Sequence, residues 1–268
     1  MFDSPKIGII GLGFVGSAIK SSMDGFSQLV LVDPLKGFNE TYKDLTSCQA
    51  VFVCVPSPMM PDGSCDSSIL KEVLAELKKI NYDQVIISKV TAPPDVYEDL
   101  QKEYKNLVYA PEFLTANNAR LDYINSEFLI IGGEISAYRN EAERIIRTGL
   151  CNIKNTLHCS IAEASLIKYT VNSFLATKVI FMNEIHNICK KMNYDYNKIT
   201  ESLFLEKRIG AGHTRVPGPD GQFGFGGACF PKDTEAFLKF AYSKDCQLNV
   251  LDAAVKKNIL LRLTDLPK

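Results

Sequence analysis

The chain has 268 residues, 46% of them apolar, and its 30 lysines and arginines stand against 31 aspartates and glutamates for a formal charge of −1. That balance leaves no basic footprint for nucleic acid or an anionic membrane, and the apolar share is enough for a real core. The N-terminal apolar stretch from Ile7 to Val15 is broken by Gly8, Gly11 and Gly13, which suits neither a signal peptide nor a spanning helix, so a cytoplasmic location is expected.

In chain order, short β-rich runs alternate with helical patterns through the first 160 residues. KIGII (6–10) precedes a helix expected over 14–24, and LVLVD (29–33) and AVFVCV (50–55) follow. A helix over 66–80 opens at Asp66, with Ser67 and Ser68 as capping candidates. Then come QVIISKV (84–90), a helix over 94–104, LVYA (107–110), EFLIIGG (127–133) and a helix over 136–148. The alternation predicts an α/β fold, a Rossmann-type doubly wound parallel sheet with helices on both faces. From Ile161 the texture changes. Residues 161–192 form the longest helical pattern, without Gly or Pro, followed by a helix over 195–206 and a Gly- and Pro-rich loop over 209–227. Helices from Pro231 to about Tyr242 and from about Leu248 to Leu263 close the chain. The expected division is therefore a dinucleotide-binding domain over 1–160 and a mainly helical dimerisation and catalytic domain over 161–268.

The first strand ends in GLGFVG, which places Gly11, Gly13 and Gly16 as G-x-G-x-x-G with Phe14 and Val15 between them, and Asp33 closes the second strand. Such glycines give a tight turn, close backbone approach to a pyrophosphate and tight helix–sheet contact, while the carboxylate can accept ribose hydroxyls. Asp33 would repel a 2′-phosphate, so NAD is expected rather than NADP. Pro56 and Pro58 in VCVPSP (53–58), and the prolines of SKVTAPP (88–94), turn the chain at the carboxyl edge of the sheet, where ligands bind in open α/β folds.

Eight cysteines include no Cys-x-x-Cys pair, and the three histidines do not fall at zinc-ligand spacing, so neither disulfides nor a structural metal is expected. Most of the thiols read as small core residues. Cys229 is different, because QFGFGGACFPKD (222–233) sets Gly224, Gly226 and Gly227 before it and Lys232 and Asp233 after it. Glycine gives up packing surface and is useful where backbone must come close to something. The thiol also lies just before a helix beginning near Pro231, so the helix dipole and Lys232 should both favour the thiolate. On the long helix, Lys168 and Asn172 stand at i and i+4, on one face.

GLGFVG, VCVPSP, KVTAPP, APEFL, EASLIKYTVN with FMNEI, RIG (208–210) and GFGGACFPKD occur in that order, and together the chain resembles the UDP-glucose/GDP-mannose dehydrogenase family. The resemblance implies NAD-dependent oxidation of the primary alcohol of a nucleotide sugar to a carboxylate in two steps, the second through a cysteine thioester. It makes Cys229 the nucleophile and Lys168 with Asn172 the pair that stabilises a developing oxyanion. It gives Asp233 the handling of protons with a water, Glu112 the hydrolysis of the thioester, and Thr91 the ordering of the catalytic water. It further implies cofactor contacts from Val55, Pro56, Thr91 and Lys232, and substrate contacts from Phe113, Leu114, Phe225 and Gly226. Arg208 matches an arginine that reaches the substrate of a neighbouring subunit. A homodimer through 161–192 is expected from the apolar residues on more than one side of that helix.

Some positions depart from the family. A second glutamate usually follows the one in PEF by four residues, where this chain has Ala116, and an arginine usually precedes the apolar run that here reads SEFLIIGG. Family chains also continue into a third, nucleotide-binding domain, whereas this sequence stops at Lys268, so a short form is expected. Two other functions fit parts of the pattern: a non-catalytic NAD-binding or dimerising fragment, and a related hydroxyacid dehydrogenase, which needs no catalytic cysteine.

Overall fold

Ile7, Ile9 and Ile10 bury both faces of the first strand, β1 (Lys6–Ile10), and this is what an interior strand of a two-sided sheet requires. The structure, a computed structural model, describes residues 4–115 and 118–264. After β1 come α1 (Phe14–Met23), β2 (Gln28–Asp33), β3 (Phe38–Asn39), β4 (Ala50–Val53), α2 (Ser68–Lys79), β5 (Val85–Ser88), α3 (Pro94–Glu103) and β6 (Leu107–Tyr109). Next are α4 (Ala119–Ile124), β7 (Phe128–Gly132), α5 (Ser136–Thr148) and β8 (Asn155–Cys159). The long α6 (Ile161–Met192), α7 (Tyr196–Phe204), α8 (Phe230–Ser243) and α9 (Asn249–Thr264) complete the described chain.

The eight strands form one sheet in the order β3-β2-β1-β4-β5-β6-β7-β8. The five strands from β2 to β6 run parallel, as the alternation predicts. Both ends of the sheet depart from the parallel expectation. β3 is antiparallel to β2, and β7 is antiparallel to β6 while β8 runs parallel to β7. The reason at β7 is the connection: α4 has six residues, about 9 Å of rise, too little to carry the chain back along the sheet for a parallel crossover. One face is packed by α2, α3 and the start of α6, through Leu70, Leu74, Tyr97, Ile161 and Ala164. The other is packed by α1, α4 and α5, through Ala18, Ile19, Tyr123, Ile145 and Ile146. The sheet is thus doubly wound.

The opening of α2 uses Asp66, whose carboxylate accepts from the Ser68 N–H at 2.8 Å; the Ser67 side chain makes no cap. At the start of α6, Ser160 and Glu163 form a reciprocal box: the Ser160 N–H donates to Glu163 at 2.8 Å and the Glu163 N–H to Ser160 Oγ at 3.2 Å. The helix runs 32 residues because nothing breaks it. It ends where Asn193 takes a left-handed φ of 56° and the Tyr194 N–H reaches back to the Cys189 carbonyl at 2.8 Å.

Contacts divide the chain into two compact units, one from the N-terminus to Pro58 with Cys65–Lys168, the other Met59–Ser64 with Tyr169 onward. The division falls inside α6, after its second turn. The second unit has its own core, built from Ala176 and Ile180 of α6, Leu238 of α8 and Leu251, Ala254 and Val255 of α9. A smaller cluster joins Met182 and Cys189 of α6 to Tyr196 of α7. No helix among the described residues is long and apolar enough to cross a membrane.

Candidate active site

In the first unit, the turn after β1 is shaped by what its glycines exclude. Gly11 has φ +87°, and a Cβ there would lie 2.9 Å from the Cys54 backbone. At Gly16 a Cβ would stand 2.0 Å from the Gly11 carbonyl oxygen, so α1 can close on the turn only with glycine there. Gly13 faces open space, with nothing within 4 Å of where its Cβ would be, and it caps α1 without a side-chain acceptor. The helix N-terminus is therefore open to an anion, the condition a dinucleotide pyrophosphate needs.

Asp33 sits at the end of β2, where its Oδ2 accepts from the Leu12 N–H at 2.7 Å. Lys36 closes the same turn from the other side, donating to the Leu12 carbonyl at 2.6 Å. The lysine went unnoticed in the sequence; its place three residues after the acid was the available signal. Phe14, Ser17 and residues 118–121 line a cleft of about 370 Å³ alongside α1. Val55 is half-buried and Pro56 exposed where the chain leaves β4. These residues fit the cofactor: turn and open amides for the pyrophosphate, Asp33 for the ribose hydroxyls.

Beyond β5 and β6 the same unit gathers buried charge. Lys168, 3% exposed, donates to the Glu112 backbone carbonyl and lies 3.4 Å from its Oε1. The ammonium also stands 5.0 Å from the Phe113 ring centroid, and the Leu114 N–H holds Glu112 Oε2 at 2.7 Å. A buried pair of this kind is costly to assemble and costlier to break on one side. Thr91 is half-buried, its carbonyl accepting from the Cys65 thiol at 3.4 Å. Lys89, which the sequence presents only as the end of an apolar run, is 5% exposed here. Ala116 lies outside the described residues.

In the second unit, Cys229 is the N-cap residue of α8, with Pro231 in the first turn, and is half-buried. Pro231 has no N–H to leave unpaired there, which explains its place. The Asp233 N–H donates back to the Cys229 carbonyl at 2.8 Å. Asp233 itself is 1% exposed and held at both oxygens: Asn172 Nδ2 donates to Oδ2 at 2.6 Å and Lys232 Nζ to Oδ1 at 2.6 Å. Lys232 thus pairs with a carboxylate, which offsets its expected help to the Cys229 thiolate, while the N-terminus of α8 contributes a favourable field. Arg208 is exposed and fork-bonded to Glu206 at 2.9 Å through both Nε and Nη2.

The glycine loop before Cys229 is fixed by side chains from α6 and α9. Asn183 accepts from the Gly224 N–H at 3.1 Å. Asn258 takes both backbone groups of Phe225, the N–H at 2.7 Å and the carbonyl at 3.1 Å. Arg262 bonds Asp220 at 2.7 Å and Gln222 at 2.5 Å, and reaches the Gly224 carbonyl at 3.3 Å. A Cβ on Gly226 would lie 2.6 Å from that guanidinium. The Phe225 ring is buried in the second core, so both its ring and its backbone are committed to holding the loop. Asn258 and Arg262 were hidden in the sequence because a helical pattern does not show which polar residue faces inward.

Residues 27–149 match the UDP-glucose/GDP-mannose dehydrogenase family, NAD binding domain, and residues 162–259 match the central domain of the same family. A UDP-glucose 6-dehydrogenase of Rickettsia bellii is 31% identical over 240 residues, 87% of this chain and 54% of the relative. The chain spans about half the length of the curated relatives it matches. In fold it is similar to a UDP-glucose dehydrogenase from Pyrobaculum islandicum, with TM-score 0.81 and 24% identity over 96% of this chain and 68% of that one. It is also similar in fold to a 3-hydroxyisobutyrate dehydrogenase of Mycobacterium tuberculosis, with TM-score 0.74 and 14% identity over 94% and 91% of the two chains. Fold alone therefore does not separate two kinds of chemistry, but both halves of the sequence match one of them. This chain belongs to the UDP-glucose/GDP-mannose dehydrogenase family.

Proposed function

We propose that the chain oxidises the primary alcohol of a nucleotide sugar such as UDP-glucose to the carboxylate, through a thioester on Cys229. The observation that carries this reading is Cys229 at the open N-terminus of α8, with the buried Asp233, itself held by Asn172, one turn on. A hydroxyacid dehydrogenase has no use for a thiol so placed.

NAD⁺, held by the glycine turn and Asp33, would supply the hydride acceptor for two oxidations, so that one alcohol and one water become a carboxylate as two NAD⁺ become two NADH. In the first oxidation the hydroxyl proton leaves through a water to Asp233, which the Lys232 ammonium and the Asn172 amide hold in place. The Cys229 thiolate then adds to the aldehyde, forming the S–C bond, and Lys168 and Asn172 stabilise the oxyanion. Loss of the second hydride leaves the thioester. Glu112 takes a proton from water, the hydroxide adds, and the S–C bond breaks to return the thiolate. The chain acts in the cytoplasm in this reading, where its eight cysteines, all thiols here, stay reduced.

We further propose a homodimer through α6. Phe174, Phe181 and Ile188 are 68%, 58% and 53% exposed at seven-residue intervals, one apolar stripe along the helix. A second copy with the same stripe would cover it. The test of function is stoichiometry: with UDP-glucose or GDP-mannose and NAD⁺, two NADH should form per acid. One NADH per substrate, or reduction only with a hydroxy acid, would overturn the reading.

A further inference from the structure

The turn that follows β2 brings an acid and a cation to one residue of the glycine turn. Asp33 pairs with Phe38 across β2 and β3, so residues 34–37 must reverse the chain in four positions. Pro34 opens a short 3₁₀ turn over 34–36, and Gly37 closes it with a left-handed φ of 79° while its N–H reaches the Pro34 carbonyl at 3.2 Å. The reversal returns Lys36 toward the glycines. Its Nζ donates to the Leu12 carbonyl at 2.6 Å, and Asp33 Oδ2 accepts from the Leu12 N–H at 2.7 Å. Opposite charges therefore grip the two backbone groups of a single residue, itself 1% exposed, and stand less than about 10 Å apart.

They do not pair with each other. No hydrogen bond or ion pair joins Asp33 to Lys36 among the described residues, and Asp33 Oδ1 and two of the ammonium N–H bonds have no partner there. Lys36 is also exposed. The Leu12 carbonyl has a second donor in Ser17 Oγ at 3.0 Å, so holding this peptide does not by itself call for a cation. An ammonium with donors to spare, beside the carboxylate that faces the ribose hydroxyls, is placed to meet an anion carried on that ribose. Dinucleotide sites that accept a 2′-phosphate do so with a nearby cation.

We propose that Lys36 is a specificity-determining residue of the cofactor site: it meets the phosphate of a 2′-phosphorylated dinucleotide and narrows the preference for NAD over NADP that Asp33 alone would impose. The inference goes beyond the NAD assignment and rests on it only for the place of the ribose. A phosphate monoester carries roughly −1.5 to −2 charge at pH 7. Asp33 repels it and Lys36 attracts it, so the two effects oppose each other. With NAD there is no such anion, and Lys36 keeps the Leu12 carbonyl. The pyrophosphate is common to both dinucleotides, so any pull of Lys36 on it cancels in the ratio of their affinities.

Equilibrium binding tests this without turnover. The chain has no tryptophan, so the fluorescence of NADH and NADPH themselves reports their binding to the full chain, and calorimetry checks it. Wild type should bind NADH more tightly than NADPH. Lys36→Met should weaken NADPH about tenfold while NADH changes less than about threefold, and Lys36→Arg should restore NADPH. Asp33→Asn should shift the ratio the other way, and the effect of Lys36→Met on NADPH should fade as salt is raised. Adenosine 2′,5′-bisphosphate compared with 5′-AMP isolates the same end of the cofactor and should show the same loss in Lys36→Met. Equal weakening of NADH and NADPH would make Lys36 a support for Leu12 alone and overturn the proposal. NADPH binding that is undetectable in wild type beside measurable NADH binding, or indifferent to Lys36→Met, also overturns it. A wild-type chain that binds neither dinucleotide overturns the cofactor assignment, and this inference with it.

Discussion

Replacing Lys89 with methionine should make the protein more stable at neutral pH, although a charged side chain is lost. Burial is the largest cause of its fall from 10.5 to about 8. At about 1.4 kcal/mol per unit, the folded state holds this ammonium at a cost of about 3 kcal/mol. The lost contact with the Tyr123 ring offsets about 1 kcal/mol of that. Methionine has similar length and no charge to desolvate, so Lys89→Met should gain about 2 kcal/mol at pH 7. The sign follows from proton counts. Below 8 both folded and unfolded chains bind the proton and the whole penalty is present. Between about 8 and 10.5 the unfolded chain binds more protons than the folded one, so wild-type stability rises with pH through this group, and the penalty is gone above the unfolded value. The advantage of Lys89→Met should therefore shrink to below about 1 kcal/mol by pH 10. Urea unfolding followed by circular dichroism at pH 7 and pH 10 reads both numbers. A variant less stable than wild type at pH 7, or equally favoured at the two pH values, would refute the reasoning.

Gly16→Ala should cost at least about 3 kcal/mol, because the new methyl would stand 2.0 Å from the Gly11 carbonyl oxygen; chemical unfolding and NAD titration should both register it, and a neutral result would mean the turn is looser than described. Asn258→Ala leaves the Phe225 N–H and carbonyl buried without partners and should cost about 3 kcal/mol, with the Phe225 amide losing protection in hydrogen exchange; unchanged protection would show that the glycine loop does not depend on α9. Phe174→Asp with Phe181→Asp should turn a dimer into a monomer in sedimentation at tens of micromolar, and a wild-type chain already monomeric there contradicts the stripe on α6.

The glycine turn was legible because its spacing is local, with Gly16 dictated by the Gly11 carbonyl five residues before it, and the inner strands because VFV and VIIS are buried on both faces. β8 was not, since NTLHC is an edge strand, half in solvent, with no alternation to betray it. The direction of β7 depends on the length of α4, which no strand motif encodes. Cys229, Asp233, Lys168 and Asn172 stand out in the sequence by their order and spacing, but their pairings do not. The partner of Lys232 proved to be the adjacent Asp233, and that of Lys168 to be Glu112, 56 residues away. Lys89 was missed for a physical reason: a lysine ending an apolar run usually marks the exit to solvent, and only the packing of α4 shows that this one stays inside.

A sugar carried on Cys229 is a covalent species that can be weighed. With Glu112→Gln, NAD⁺ and UDP-glucose, an acid quench after the burst of NADH should leave one glucuronyl-nucleotide adduct per chain, on the peptide that contains Cys229. NADH formation without any adduct, an adduct on a lysine, or full acid production by Cys229→Ser would contradict it.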